Sequence, residues 1–491
     1  MLKTLIAKEI RETALDFRFV VATLLFMALI PLGTLISCKD YEQRLAGIQR
    51  EHQMYRDRYA KDVKWDTEAQ GFRLPSVMSL FVNGLDAFVP DRVITSRSGI
   101  FQATTGANIG NPLLLLFGKA DFLFNVTFIV SLAALIFSFD AISGERENGT
   151  LRLMIAHVVP RAQIILSKVA GKYVMVLIPF LVSVLIALLV LETSPDVSVG
   201  SYEVWPVLLV ILGVTLLFLL GMVCLGLCIS TFTSHAMGSM LWLFFVWVVF
   251  ALGIPKVSPM IAEVFCPVES VSVMSMAKRV AGKDLEREYE QARQNIAKRF
   301  RDDAGPSLYM LGPGPEKEAM KRLGESQNIV EAKYEEERSL LAATYQRRIT
   351  NRLRKIDQDY RNRLGVQYAL AGTLSRISPV SCYANIVSTL AGTGSTSPDN
   401  FIRNAQRFQD DVKQDIYDKF MVRTECISGA TTAGPVEGFD PLTATLPEMI
   451  YSQPTLAQAV HACWIDIILL TLFAVVCVSL SFARFSRYDV R

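Results

Sequence analysis

Six stretches of this chain, roughly 19–37, 121–139, 173–191, 205–229, 236–254 and 461–483, are long, apolar and almost free of charge. About 20 such residues in helical form cross the hydrocarbon of a bilayer. Lipid offers no partner for a backbone N–H or C=O, so a crossing segment must satisfy its own backbone. Runs this continuous do so as helices rather than as short alternating strands. The expected fold class is an all-α polytopic membrane protein with six transmembrane helices. With 51% hydrophobic residues in 491 and a formal charge of +3, there is also room for large aqueous parts, and the charge does not point to nucleic acid.

Lysine and arginine near the span ends set the orientation. Lys3, Lys8, Arg11 and Arg18 precede the first span. Arg146, Arg152, Arg161, Lys168 and Lys172 fall in the 140–172 connection, and Arg484, Arg487 and Arg491 in the 484–491 tail. The 193–203 connection has neither residue type. Both termini are therefore expected in the cytoplasm, with 38–120 and 255–460 on the far side. In residues 1–18, Leu2, Leu5, Ile6, Ile10, Ala14 and Phe17 recur at helical spacing, with Lys3, Lys8, Glu9 and Arg11 on other faces. That pattern predicts a helix lying against membrane lipid at the interface. No cleavable signal is expected. A bacterial inner membrane fits, because "NVT" (125–127) lies inside a span and "NGT" (148–150) on the cytoplasmic side, so neither is a glycosylation acceptor.

On the far side, Leu45, Ile48, His52, Tyr55 and Tyr59 step by three and four, so the first helix is expected to continue past the membrane. A helix over about 276–302 carries Leu285, Tyr289, Ala292 and Ile296 on one face, and "GPSLYMLGPGP" breaks it. Another over about 316–363 carries the stripe Tyr345, Ile349, Leu353, Ile356, Tyr360 and Leu364. Two antiparallel helices, with the extended first helix against them, would bury these stripes as a coiled-coil-like stalk. The charges of "YQRRITNRLRKIDQDYRNR" read as a solvated face rather than an anion site. Segments 71–111 and 365–459, rich in Gly, Ser, Thr and Pro, read as loops with short elements. Cys266, Cys382 and Cys426 fall in this outer part, where one disulfide or unpaired thiols fit equally. The scattered cysteines, with His157, His235 and His461 far apart, give no metal-ligand spacing, and no catalytic motif argues for an enzyme.

Ionisable groups inside a membrane mark transport paths. Here Asp121 and Asp466 lie near span ends and read as hydrated; neither a buried proton relay nor a channel filter is evident. The energy for any movement must then enter outside the spans. "FDAISGERENGTLRLMI" (139–155) offers the place. Gly144 and Gly149 punctuate it, and Thr150 is placed to cap a helix beginning at Leu151. Leu151, Met154, Ile155 and Val158 form an apolar face, and Pro160 closes the helix. Glu145, Arg146 and Glu147 are expected to project into the cytoplasm. Such a rod, joined to two spans, would transmit a push from a soluble partner.

The same run resembles the signature of type-2 ABC transporter permeases, Phe-Asp-x-Ile-x-Gly-Glu-x-Glu-x-Gly-Thr-Leu after the second span. The matching residues are Phe139, Asp140, Ile142, Gly144, Glu145, Glu147, Gly149, Thr150 and Leu151. "PSVMSLFVNGLD" (75–86) and "RISPVSCYANIVSTLAGTG" (376–394) resemble segments of a subgroup with a large extracytoplasmic insertion. The resemblance implies that two such subunits, two copies or this chain with a homologous permease, form the membrane part of an exporter. Each would dock on a separate ABC ATPase. Residues 143–159 would be the main coupling element, through Gly144, Glu145, Arg146, Glu147, Gly149, Thr150, Leu151 and Arg152. Lys8 and Arg11 of the N-terminal helix, with Thr233 and His235 of the 230–237 turn, would be secondary contacts. The chain has no GxxxxGK[ST], so ATP and Mg2+ belong on the partner ATPase, and no cofactor is expected here. Two readings stay open: export of an amphipathic or lipid-like substrate, or mechanotransmission to a periplasmic partner without transport.

Overall fold

A computed structural model describes residues 2–61, 68–86, 89–95, 101–104, 120–156, 160–192, 204–303, 317–420 and 448–487. Among the described residues, six helices are long and apolar enough to cross a membrane: Phe17–Asp57, Phe122–Glu147, Arg161–Glu192, Val204–Phe232, Ala236–Phe265 and Leu456–Ser486. The chain is an all-α polytopic membrane protein, as expected, and each apolar stretch of the sequence, apart from the capping Asp121, lies within one of these helices. They share one core, in which Phe26, Ile30, Val130, Phe180, Phe218 and Leu470 are nearly or fully buried. The fourth span is central, packing against the second, third, fifth and sixth, while the first packs along the third. Glycines permit the closest approaches. A Cβ at Gly226 would lie 1.8 Å from Ser138 Oγ, so the second and fourth spans meet backbone to side chain.

The start of the N-terminal helix and the end of the last span sit at one end of the bundle, its base. There the N-terminal helix, Leu2–Ala14, packs along the start of the third span. The first span belongs to a single helix, Phe17–Lys61, whose 45 residues make a rod about 67 Å long. Its continuation does not join the stalk, as the sequence suggested. It lies against a small antiparallel sheet and the Val77–Leu80 turn. The sheet runs β1 (Ala69–Phe72), β2 (Arg92–Thr95), β3 (Phe101–Thr104), with Gly71 opposite Val93 and Val93 opposite Ala103. The alternation of β1 decides this arrangement. Ala69 and Gly71 face a second core formed by Phe401, Ala405, Phe408 and Val412, four positions on one face of helix Ser397–Phe420. Phe72 points the other way, to His52 and Tyr55 of the long helix.

The stalk is an antiparallel hairpin of Val271–Asp303 and Lys317–Ser375, packed through Tyr289 on Tyr345 and Phe300 on Tyr334, each pair 5.6 Å apart. The apolar stripes read from the sequence are its half-buried seam. At its foot it packs on the end of the fifth span.

The segment read as loops from residue 365 is largely helical over its described part. Besides the hairpin's end it holds Pro379–Leu390 and Ser397–Phe420. Small polar residues concealed the first of these two. Ser378 caps it, accepting from Val380 N and Ser381 N, and Pro379 takes the first-turn position, where a missing N–H costs nothing. This helix is inserted into the far end of the bundle between the fourth and sixth spans. Tyr383, fully buried, stacks on Phe218 at 4.3 Å and shares a 3.0 Å hydrogen bond with Thr215. Ser378 Oγ also donates to Phe250 O, within the π-helical turn Val249–Gly253 of the fifth span.

Cys266 and Cys382 are free thiols, so they do not pair with one another; Cys426 lies outside the described residues. The expected hydration of Asp121 and Asp466 does not hold either. Asp121 caps the second span by accepting from Phe124 N at 2.8 Å, and accepts from Asn83 N at 2.9 Å. Asp466 is completely buried. It accepts from Arg376 Nε at 2.7 Å and Nη2 at 3.3 Å, and from Asn385 Nδ2 at 2.7 Å. The hydrogen bond to Asp466 raises the pKa of the Arg376 guanidinium above its ordinary value.

Candidate functional site at the base of the bundle

The signature run forms the base. After the second span the chain turns at Phe139–Ile142 and enters a short helix, Ser143–Glu147, pinned from below by serines. Ile142 N and Ser143 N both donate to Ser230 Oγ at 3.0 Å, Ser230 Oγ donates to Ser143 Oγ, and Ser239 Oγ donates to Phe139 O at 2.7 Å. Ile142 and Leu151 are fully buried. Gly144 lies 3.3 Å, measured from its would-be Cβ, from Asp140 Cβ, so the turn is tight there. Gly149 has φ +74°, a left-handed conformation that glycine adopts without steric cost. The next helix starts at Thr150 itself and runs to Ala156. Thr150 is therefore not its cap; the hydroxyl donates back to Glu145 O at 3.3 Å. Pro160 precedes the third span, its carbonyl accepting from Gln163 N, and the residues between, His157 and Val158 included, lie outside the described residues.

Glu145, Arg146 and Glu147 do not project away from the bundle as expected. Each engages a different helix. Glu145 Oε1 lies 2.9 Å from Lys168 Nζ of the third span and 3.6 Å from Lys8 Nζ of the N-terminal helix. Arg146 donates to Thr233 O at 2.7 Å and Thr231 O at 3.3 Å, capping the C-terminal end of the fourth span. Glu147 Oε2 accepts from Ala236 N at 2.9 Å, capping the N-terminal end of the fifth. A cation at a helix C-terminus and an anion at an N-terminus both match the helix dipole. One acidic–basic–acidic triplet therefore clamps the turn between two spans and ties it to two more helices.

Lys168 is the centre of the second layer. It is 1% exposed and also meets Glu9 Oε1 at 3.0 Å. One turn on, Lys172 Nζ donates to Thr13 Oγ1 at 3.1 Å. Glu9 and Thr13, four apart, thus meet Lys168 and Lys172, also four apart, as two parallel helices in register require. Gly171 lets them approach: a Cβ there would lie 2.6 Å from Glu9 Cβ. Asp140 pairs with Arg18 of the first span at 2.8 Å and lies 4.0 Å from Lys172. Arg161 donates to the Phe485 and Ser486 carbonyls, capping the sixth span as Arg146 caps the fourth. Every span is tied into this base. A buried lysine between two carboxylates holds only while the set is complete, because removing one member strands a charge away from water.

The residues expected to meet a partner divide accordingly. Gly144, Glu145, Arg146 and Leu151 are structural parts of the clamp. Thr233 contributes its carbonyl to Arg146, and Glu147 is half-exposed. Exposed are Asn148, Gly149, Thr150, Lys8, Arg11 and His235, whose Nδ1 is 4.0 Å from Glu147. The side chain of Arg152 lies outside the described residues. Leu153, which the sequence did not single out, is 70% exposed on the second short helix. The roles of Glu9, Thr13, Ser230 and Lys168 were also missed, although the two pairs spaced by four were visible. No group of three or more His, Cys, Asp or Glu residues among those described is placed to hold a metal ion.

A family described as "ABC-2 family transporter protein" matches residues 3–490, which is nearly the whole chain. No curated protein matches it.

Proposed function

Because this chain belongs to the ABC-2 transporter family, as the permease subunit of an ABC transporter, we propose that a separate ATPase drives it through the base. The docking surface is the exposed tip Asn148–Leu153, flanked by Lys8 and Arg11 of the N-terminal helix and by His235. ATP and Mg2+ are bound by that partner. The observation that carries this reading is the Glu145–Arg146–Glu147 triplet. A displacement of the tip cannot be absorbed locally, since its three charges are bonded to the N-terminal helix and to the third, fourth and fifth spans. The base also gathers Lys3, Lys8, Arg18, Arg146, Arg161, Lys168 and Arg484, which supports a cytoplasmic base with both termini inside. The membrane is then a bacterial inner membrane, with sheet and stalk outside.

The work delivered is export of an amphipathic or lipid-like substrate. An apolar cleft of about 70 Å3 at the far end of the bundle, lined by Phe81, Phe122, Val184, Leu188, Trp205 and Leu212, supports it as a contact for part of an acyl chain. A second reading, mechanotransmission, is favoured by the unbroken Phe17–Lys61 rod. It is held at the base by Arg18 on Asp140 and at the far end by Glu51 on Arg92 at 3.2 Å. Either way two permease subunits are expected, as two copies or as a pair of homologous chains.

The test uses Leu153→Asp, which changes an exposed residue and leaves the clamp intact. Co-purification with the ATPase and stimulation of its hydrolysis should fall at least tenfold, while the thermal midpoint of the purified permease stays unchanged. Full stimulation of ATPase activity by this variant would mean that the tip is not the docking surface. Charge reversal at Glu145 or Glu147 is a poorer test, because either would break the clamp itself.

A further inference from the structure

A cleft of about 340 Å3 lies far from the base, between the long first helix and the small sheet. His52 stands 34 residues after Arg18 in the same helix, about 51 Å along it, whereas the hydrocarbon of a bilayer is about 30 Å thick. The cleft therefore opens to water rather than lipid. Its size lies within the range of small-molecule sites, about 300–1,000 Å3.

Its lining defines the ligand. The helix contributes Gln49, His52 and Tyr55, the outer face of β1 contributes Gln70 and Phe72, and the irregular segment before the sixth span contributes Glu448, Tyr451 and Gln453. Four rings present apolar faces; His52 and Tyr55 flank Phe72 at 5.3 and 6.0 Å. Three primary amides each offer both donors and an acceptor. Nearby arginines are already engaged by carboxylates: Arg56 with Glu448 at 3.2 Å, Arg92 with Glu51 at 3.2 Å, and Arg73, stacked on Tyr451, with Asp86 at 2.7 Å. Among the described residues that leaves no unpaired cationic cluster for a phosphate or carboxylate ligand. An acyl chain would leave the amides without partners. A ligand that matches both features is uncharged, with flat C–H faces for the rings and hydroxyl edges for the amides. We infer that this cleft is a binding site for a neutral saccharide.

The walls of the cleft also belong to moving parts on the reading given above. One is the far end of the first helix, the other leads directly into the sixth span. Binding itself requires neither ATP nor the ATPase, so its test is separate from that of docking.

The full chain, purified in lipid nanodiscs without ATPase or nucleotide, would be titrated with maltohexaose, cellohexaose and chitohexaose. Saturation-transfer NMR would report which sugar protons contact the protein. At least one of these should bind. Gln70→Ala combined with Gln453→Ala should weaken it at least tenfold at unchanged thermal midpoint, and Phe72→Ala should abolish the ring-face contacts. If none of the three binds, or if the double variant binds as well as the parent, the assignment is overturned. It is equally overturned if a tetrapeptide library binds in their place and loses affinity in the same variants, since the ligand is then a peptide.

Discussion

The base of the bundle and the stalk hairpin are both dense in charge, and their sequences look alike in that respect. Their structures treat the charge in opposite ways. In the hairpin, pairs along one helix, Arg287–Asp284, Arg293–Glu290 and Arg338–Glu335, and the pair Arg299–Glu337 across the two helices are all well exposed. At the base, the partners lie on different helices, 23 residues apart for Lys168 and Glu145 and 159 for Lys168 and Glu9, and several are buried. Charge near water is cheap to hold and contributes little; charge withdrawn from water must be completely matched. The hairpin's charges keep a stalk soluble, while those of the base fix how six spans sit relative to one another.

The comparison is broken most severely at Lys168. Lys168→Met keeps the bulk but leaves Glu9 and Glu145 close together without the cation between them, at a cost of about 3–5 kcal/mol. The expected result is a large fall in thermal midpoint in detergent, or no monodisperse protein. Adding Glu9→Gln and Glu145→Gln should recover much of the loss, since a neutral buried set carries no stranded charge. An unchanged midpoint in the single variant would remove the distinction between the two regions.

A smaller effect is expected at the far end, where Arg376, at the foot of the hairpin, holds buried Asp466 of the sixth span. This site belongs to both classes, as the arginine is partly exposed and the carboxylate is not. Arg376→Ala and Asp466→Asn, separately and together, form a double-mutant cycle with a coupling of about 1–3 kcal/mol. Strict additivity of the two would show that the stalk is not anchored through this pair.

The sequence told these regions apart only in part. Span positions were legible because lipid permits few solutions, and the hairpin seam because Tyr345, Ile349, Leu353 and Ile356 keep a helical period. Signature residues Glu145 and Glu147 were legible as important but not in direction: whether an acid faces a partner or its own bundle depends on residues of other helices, such as Lys168 and Ala236. The helix Pro379–Leu390 was hidden for another reason. Ser, Thr and Gly near it resemble a loop, and only its Ser378–Pro379 start carried a helix signal. Asp466 was misjudged with it, because its partners Arg376 and Asn385 flank or lie on that same helix.

The smallest effect should come from the best-formed exposed pair of the hairpin. Arg299 Nη2 and Glu337 Oε2 are 2.6 Å apart across the two helices, with side chains 59% and 45% exposed. Geometry alone would rank this contact beside Lys168–Glu145. Solvation ranks it far lower, because both groups remain hydrated when apart. Arg299→Ala should therefore change stability by about 0–1 kcal/mol. At 1 M salt, where the screening length is about 3 Å, even that difference should vanish. Thermal melts of parent and variant at low and high salt measure it. A salt-insensitive loss as large as that of Lys168→Met would mean that distance, and not burial, governs what a charge contributes in this protein.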